Sequence, residues 1–329
     1  MAQLFYLFIK LFRRFFDLSM AYQRWKDPSI CPPPDLKKYY IPGHPNTLPT
    51  FIHLPASYEP GKKHKYPLLV NIHGGAFCMG TPELDCLVSK KLADAAECVV
   101  VNVNYRKAPE YPFPAGLNDV EAAILAVLAD ADADSDTEGG SLPMVDKERV
   151  ALMGSSAGGA LALSAALNPE LQKRGVVRGI VAVMAMTDCT LDQKQRMDSL
   201  PRESGGKDVL KDVHLLVDAY MRSSDGSSDS ASASASRRRD PRASPAFADP
   251  GLWPARLMFV TARMDCLYGE QERLVRRIRE VRGGDGGVTW KVLEGLGHPS
   301  RDVRTGEAAE KWDEVWRETA AYLQEVWKV

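Results

Sequence analysis

The pentapeptide Gly154-Ser155-Ser156-Ala157-Gly158 is the first place in this sequence where residue types and spacing suggest chemistry. It fits G-x-S-x-G, follows the apolar run Val150–Met153 and opens a helix-like stretch. A sharp strand-to-helix turn of that kind lifts a serine hydroxyl clear of a sheet and strains its backbone. Such a serine is a nucleophile only if a base takes its proton and donors stabilise the oxyanion that forms. His73-Gly74-Gly75-Ala76-Phe77, after the run Leu68–Ile72, supplies the donors. The N–H groups of Gly75 and Ala76, with that of Ala157, could face one oxyanion. Gly74 allows close backbone approach, and His73, at the root of the loop, reads as its support rather than as the base.

The base and its acid come later in the chain, since such elbows run in the order serine, acid, histidine. Only His214 and His298 follow Ser156. His214 sits inside a helical stretch, whereas His298 lies in Gly295-Leu296-Gly297-His298-Pro299, just beyond the strand-like Val288–Leu293, and is preferred. Asp265 follows Leu257–Thr261 by a short turn and is the preferred acid. Asp188, after Ile180–Met186, is the competitor. The expected chemistry is acyl transfer to Ser156, with His298 as base and Asp265 orienting it.

Nearly continuous apolar strands at Leu68–Ile72, Cys98–Val103, Val150–Met153, Ile180–Met186, Leu257–Thr261 and Val288–Leu293 must position these residues. They alternate with helix-like stretches at Glu83–Ala96, Asn118–Ala129, Gly158–Asn168, Val209–Met221, Tyr268–Val281 and Ala308–Val326. Buried runs alternating with amphipathic ones predict an α/β fold, a doubly wound and mostly parallel sheet with helices on both faces. An edge strand is expected near Thr50–Leu54. Asp130–Ser141 reads as an acidic surface loop. Ser223–Arg239, rich in Ser and Ala and ending in three arginines, is too poor in apolar side chains to offset its ordering entropy and is expected to be disordered.

Composition narrows the partners. The 329 residues carry 42 Lys+Arg against 43 Asp+Glu, a net charge of −1 that gives no pull on a phosphate backbone, so nucleic acid is not expected. Six cysteines without a C-x-x-C pair and six histidines without metal-ligand spacing predict reduced thiols, a cytoplasmic setting, and neither metal nor organic cofactor. Residues 1–20 form an amphipathic helix with a broad face of Leu and Phe. Lys10, Arg13 and Arg14 leave too short an uncharged run for the ~20 residues a span needs. Three readings stay open: a helix docked on its own domain as a lid, an interfacial anchor making peripheral membrane contact, or a cleaved targeting sequence.

These residues resemble the hormone-sensitive-lipase-like branch of the α/β-hydrolases, the relatives of carboxylesterases and arylacetamide deacetylases. The resemblance is carried by His73–Phe77, by Tyr105-Arg106-Lys107-Ala108-Pro109-Glu110 with Pro112–Ala115, and by Gly154–Gly159. Ser244-Pro245, Asp265-Cys266-Leu267 and Gly295–His298 extend it. Ala76 stands where the family usually has a third glycine, and Ser155 where it has Asp. Cys266 replaces a proline and Gly269 a second Asp, while Glu270 remains. The resemblance implies a hydrolase domain over residues 46–329, capped by residues 1–45 and by an insertion at about 189–240 that would contain the loop 223–239. It also implies a serine hydrolase for carboxylic esters of small hydrophobic substrates. Formamide, lactone and secondary-metabolite tailoring hydrolysis are the alternatives, with a non-catalytic small-molecule receptor as the remote one.

Overall fold

A computed structural model describes residues 2–41, 43, 48–61, 64–132, 142, 144–201, 204, 208, 210–223, 230–298 and 305–328. Among these described residues eight strands form one sheet: β1 (Leu36–Lys38), β2 (Thr50–His53), β3 (Tyr66–Ile72), β4 (Val99–Val103), β5 (Val145–Ser155), β6 (Val177–Val183), β7 (Arg256–Ala262) and β8 (Val288–Leu293). Their order is β1-β2-β4-β3-β5-β6-β7-β8. The six strands from β4 to β8 pair in parallel, and β1 and β2 close one edge antiparallel.

The helices are α1 (Ala2–Lys26), α2 (Cys86–Ala96), α3 (Ala115–Asp132), α4 (Ala157–Ala165), α5 (Pro169–Arg174), α6 (Gln193–Met197), α7 (Val213–Tyr220), α8 (Ala231–Arg238), α9 (Tyr268–Arg282) and α10 (Gly306–Val326). Alternation along the strands decides which cover which face. Leu68, Val70 and Ile72 of β3 pack with α3, α4 and α9, while Leu69 packs with α2 and α10. Both faces are apolar because both are covered, hence the unbroken hydrophobic runs of the parallel strands. The chain crosses from β4 over β3 to β5, so the carboxyl ends of β3 and β5 flank the point where strand order reverses. Open α/β sheets bind ligands in that crevice.

Four local expectations are corrected. The strand expected at the edge near Thr50–Leu54 lies inside the sheet, because β1 pairs along its outer side and β4 along its inner one. The strand expected at Ile180–Met186 stops at Val183: Met184 takes φ 45° and the N–H of Met186 turns to bond Ser156 O at 3.1 Å. Within the segment 223–239, expected to be disordered, Ala231–Arg238 is helical. Ser230 caps it, and arginines replace the missing apolar anchors: Arg237 donates to Met221 O, and Arg238 to Cys189 O and Asp218. Residues 224–229 of that segment lie outside the described residues. In the acidic segment 130–141, Asp130 belongs to α3 and accepts bonds from Lys38 and Tyr40, while 133–141 lie outside the described residues.

His53 on β2 is fully buried, and neither ring nitrogen has a hydrogen-bond partner among the described residues. Burial pushes its pKa from 6.5 down to about 4. The unfolded chain therefore binds the extra proton between these values, so stability is full above pH 6.5 and falls as pH drops toward 4. Between pH 7 and 5 this group alone should cost about 2 kcal/mol. Urea unfolding of His53→Leu should show a pH 7-to-5 loss smaller than that of the parent by this amount; equal losses would refute the assignment.

Candidate active site

The turn between β5 and α4 holds Ser156 at φ 55° and ψ −121°, a conformation L-residues rarely adopt. Small neighbours make it possible. A Cβ on Gly154 would lie 2.2 Å from Gly158 O, and one on Gly158 would lie 2.0 Å from Ile72 O. The turn is tied down through Ser156, whose N–H donates to Val183 O at 2.8 Å and whose carbonyl accepts from Gly159 and Met186.

The loop after β3 comes up beside it. Gly75 has φ 120°, and a Cβ there would sit 2.1 Å from Met79 O. Ala76 and Phe77 continue at φ 50° and 62°. The carbonyl of Gly75 is turned inward to accept from Cys78 and Met79, both at 3.0 Å. The N–H groups of Gly75, Ala76 and Ala157 donate to no acceptor among the described residues. Donors left free beside a strained serine are what a developing oxyanion requires.

His73 is buried behind this loop. Its Nδ1 lies 2.7 Å from Gly74 O, and its ring stacks on Tyr105, whose hydroxyl donates to His73 O at 3.2 Å. Lys107, also buried, braces the same corner by donating to Asn104 Oδ1 at 2.8 Å, and burial pushes its amine well below the usual lysine range. A lysine in sequence reads as surface, so nothing marked Lys107 as an internal brace.

The loops after β7 and β8 bring in the residues expected as acid and base. Asp265 is fully buried; its Oδ1 accepts from Leu267 N–H at 2.9 Å and its Oδ2 lies 2.7 Å from His298 Nδ1. The two loops are tied together by Arg263 N–H to Leu293 O at 3.0 Å and Met264 N–H to Leu296 O at 2.8 Å. The competing residues go elsewhere. Asp188 Oδ1 accepts from the N–H and hydroxyl of Thr190, and His214 on α7 is not part of the cavity wall.

Ser156, Gly74, Gly75, Ala76 and His298 line one cavity of about 550 Å³. Its other walls are mainly apolar, with Phe5, Phe8, Phe12 and Phe16 from α1 and Leu215 and Leu216 from α7, although Asp212 and Ser155 also line it. The aromatic positions of α1 were legible as a greasy helix, but not which of them face the serine.

Sequence reasoning missed two further groups. Asp208 Oδ2 accepts from Cys266 N–H at 2.7 Å, beside the acid. Burial and the nearby Asp265 push its carboxyl above the usual range, opposed by its two backbone donors and by His298. Asp208, Asp265 and Cys266 lie close enough to share a cation. However, Asp265 is engaged by His298 and Leu267, and burial pushes the Cys266 thiol upward, so its ionised form is disfavoured. The donor set fits a metal poorly. The second group is the buried pair Arg196–Glu270. Glu270 accepts the N–H groups of Thr187 and Asp188, and Arg196 also donates to Asp188 O at 2.6 Å, so the pair clamps the chain leaving β6. Residues 74 positions apart carry no local signal of such a pairing.

Comparison with known proteins agrees with this architecture. A family model described as the alpha/beta hydrolase fold matches residues 69–300. An arylesterase of Saccharolobus solfataricus is 36% identical over 223 residues, covering 68% of this chain and 65% of that protein. Arylacetamide deacetylase of Oryctolagus cuniculus is 41% identical over 125 residues, 36% of this chain and 30% of that protein. The matches thus span less than two thirds of either relative. Among solved structures, the carboxylesterase EstE1 cloned from a metagenomic library superposes with a TM-score of 0.76 at 22% identity, covering 98% of both chains, a likeness of fold alone. With its sheet, its elbow and this match over most of its length, the chain belongs to the α/β-hydrolase fold family, in the hormone-sensitive-lipase-like branch.

Proposed function

We propose that this protein is a serine hydrolase that cleaves carboxylic esters of small hydrophobic substrates through an acyl-enzyme. One observation carries the reading: a strained serine and an aspartate-held histidine line the same apolar cavity. With Nδ1–H donated to Asp265, the His298 ring presents an unprotonated Nε2 as general base. Ser156 Oγ attacks the acyl carbon as His298 takes its proton, and the oxygen that becomes negative is met by the N–H groups of Gly75, Ala76 and Ala157. The backbone strain at Ser156 is built into the turn, so the hydroxyl is already placed before substrate arrives. The intermediate collapses as His298 returns the proton to the alcohol, which leaves. Water, deprotonated by the same nitrogen, then attacks the acyl-enzyme and releases the carboxylic acid. Asp265 orients the imidazole and stabilises the imidazolium.

The aromatic and aliphatic wall sets the acyl preference. Each methylene removed from water is worth about 0.8 kcal/mol, roughly fourfold in kcat/KM where the transition state keeps the contact. Across p-nitrophenyl esters, kcat/KM should therefore climb from acetate through butanoate to hexanoate, then level off once the cavity is filled. No turnover of any member would overturn the assignment. A flat series would overturn the acyl-pocket reading while leaving the chemistry.

A further inference from the structure

Helix α1 is apolar on more than one side: one side packs on the body and lines the cavity, and another is left outside. A surface helix normally buries its apolar stripe and shows its charges to water. Here Arg13 is turned toward the body of the protein: its Nε donates to Cys78 O at 2.6 Å, and Nη2 reaches Ala108 O and the Glu110 carboxylate. Ile9 is buried beside it. On the opposite side Leu4, Leu7, Leu11, Phe15, Leu18 and Trp25 are each more than half exposed. At 100° per residue these side chains fall within about 100° of arc, a band running from Leu4 to Trp25, or about 32 Å of helix.

Two features say what covers that band. The first is charge: α1 carries Lys10, Arg13, Arg14, Arg24 and Lys26 against the single acid Asp17, and Lys10, Arg14 and Lys26 are exposed. A second copy packed on the band would bring like charges together, whereas anionic headgroups would be neutralised by them. The second is continuity. Phe8 and Phe12 are exposed on the band and also line the cavity that holds Ser156, so the apolar surface outside runs into the apolar wall within. Among the described residues no helix is long and apolar enough to cross a membrane, so the band can lie on a bilayer but not span it.

We propose that α1 docks this protein on an anionic lipid surface, its outer band sunk among the acyl chains. Ester dissolved in the bilayer then enters past Phe8 and Phe12 without passing through water. The docking stands on the helix alone; the route of substrate rests on the esterase reading above.

The test uses the full chain with vesicles of phosphatidylcholine, with and without phosphatidylserine. The triple variant Leu11→Glu/Phe15→Glu/Leu18→Glu alters exposed residues outside the cavity wall and should fold. Wild type should sediment with the phosphatidylserine vesicles, less so as salt is raised, and the variant should bind roughly 100-fold more weakly or worse. On soluble p-nitrophenyl butanoate the two proteins should be equal within about twofold, whereas a long-chain ester carried in the vesicles should be turned over by wild type alone. Absent binding to either vesicle, or binding unchanged in the variant, overturns the docking. A dimer in solution that the variant abolishes, without vesicle binding, overturns it in favour of a second copy. Vesicle binding by a protein inactive on every ester upholds the docking and removes the esterase reading, so the two failures are distinguishable.

Discussion

Ser156→Ala and His298→Ala are each expected to lower kcat on a p-nitrophenyl ester by about 10⁴-fold or more, with KM little changed. The effects should not add, because without the hydroxyl there is no proton for the imidazole to take, and without the imidazole the hydroxyl stays protonated. The double variant should therefore be about as slow as either single one. Residual turnover would come from the free N–H groups of Gly75, Ala76 and Ala157, which survive both substitutions. His214→Ala, on α7 but not itself part of the cavity wall, is expected to stay within a few-fold of wild type. A fluorophosphonate should label the native chain and not Ser156→Ala. Equal labelling of both, or a loss on His214→Ala that His298→Ala does not share, would sink the assignment of nucleophile or base.

Arg196→Met is expected to cost about 3–5 kcal/mol of stability, the largest effect foreseen for a residue outside the cavity wall. The guanidinium and the Glu270 carboxylate are both almost wholly buried, so removing one leaves the other's charge without its partner. Burial and the nearby Asp188 push the Glu270 carboxyl upward, and Arg196 opposes them. Without the arginine, Glu270 would be driven to take a proton, weakening its hold on the N–H groups of Thr187 and Asp188. The double variant Arg196→Met/Glu270→Leu should recover much of the loss, since no charge is then buried alone. A double-mutant cycle by urea unfolding measures this; strictly additive losses would mean that the two side chains do not act as a pair.

Several corrections share one cause. Met184–Met186 is as apolar as the strand before it, yet leaves the sheet because its backbone is needed to close the turn around Ser156. Ala231–Arg238 is too polar to predict as ordered, yet is held by arginine bonds to carbonyls and to Asp218, contributed by residues up to 49 positions away. In both cases local pattern was overruled by a distant partner.

The sequence by itself determined the parallel sheet, the elbow around Ser156, the glycine loop after β3, and a ranked choice of acid and base. These follow from short-range rules: strand and helix periods, the backbone freedom that glycine alone supplies, and the order in which strands end. Only the tertiary structure decided that Asp265 is at hydrogen-bond distance from His298 while Asp188 turns to Thr190, that Arg196 and Glu270 share one charge-compensated site, and that α1 faces Arg13 inward and its leucines outward. A side chain's partner depends on which distant segment the fold sets beside it. No spacing along the chain encodes that proximity.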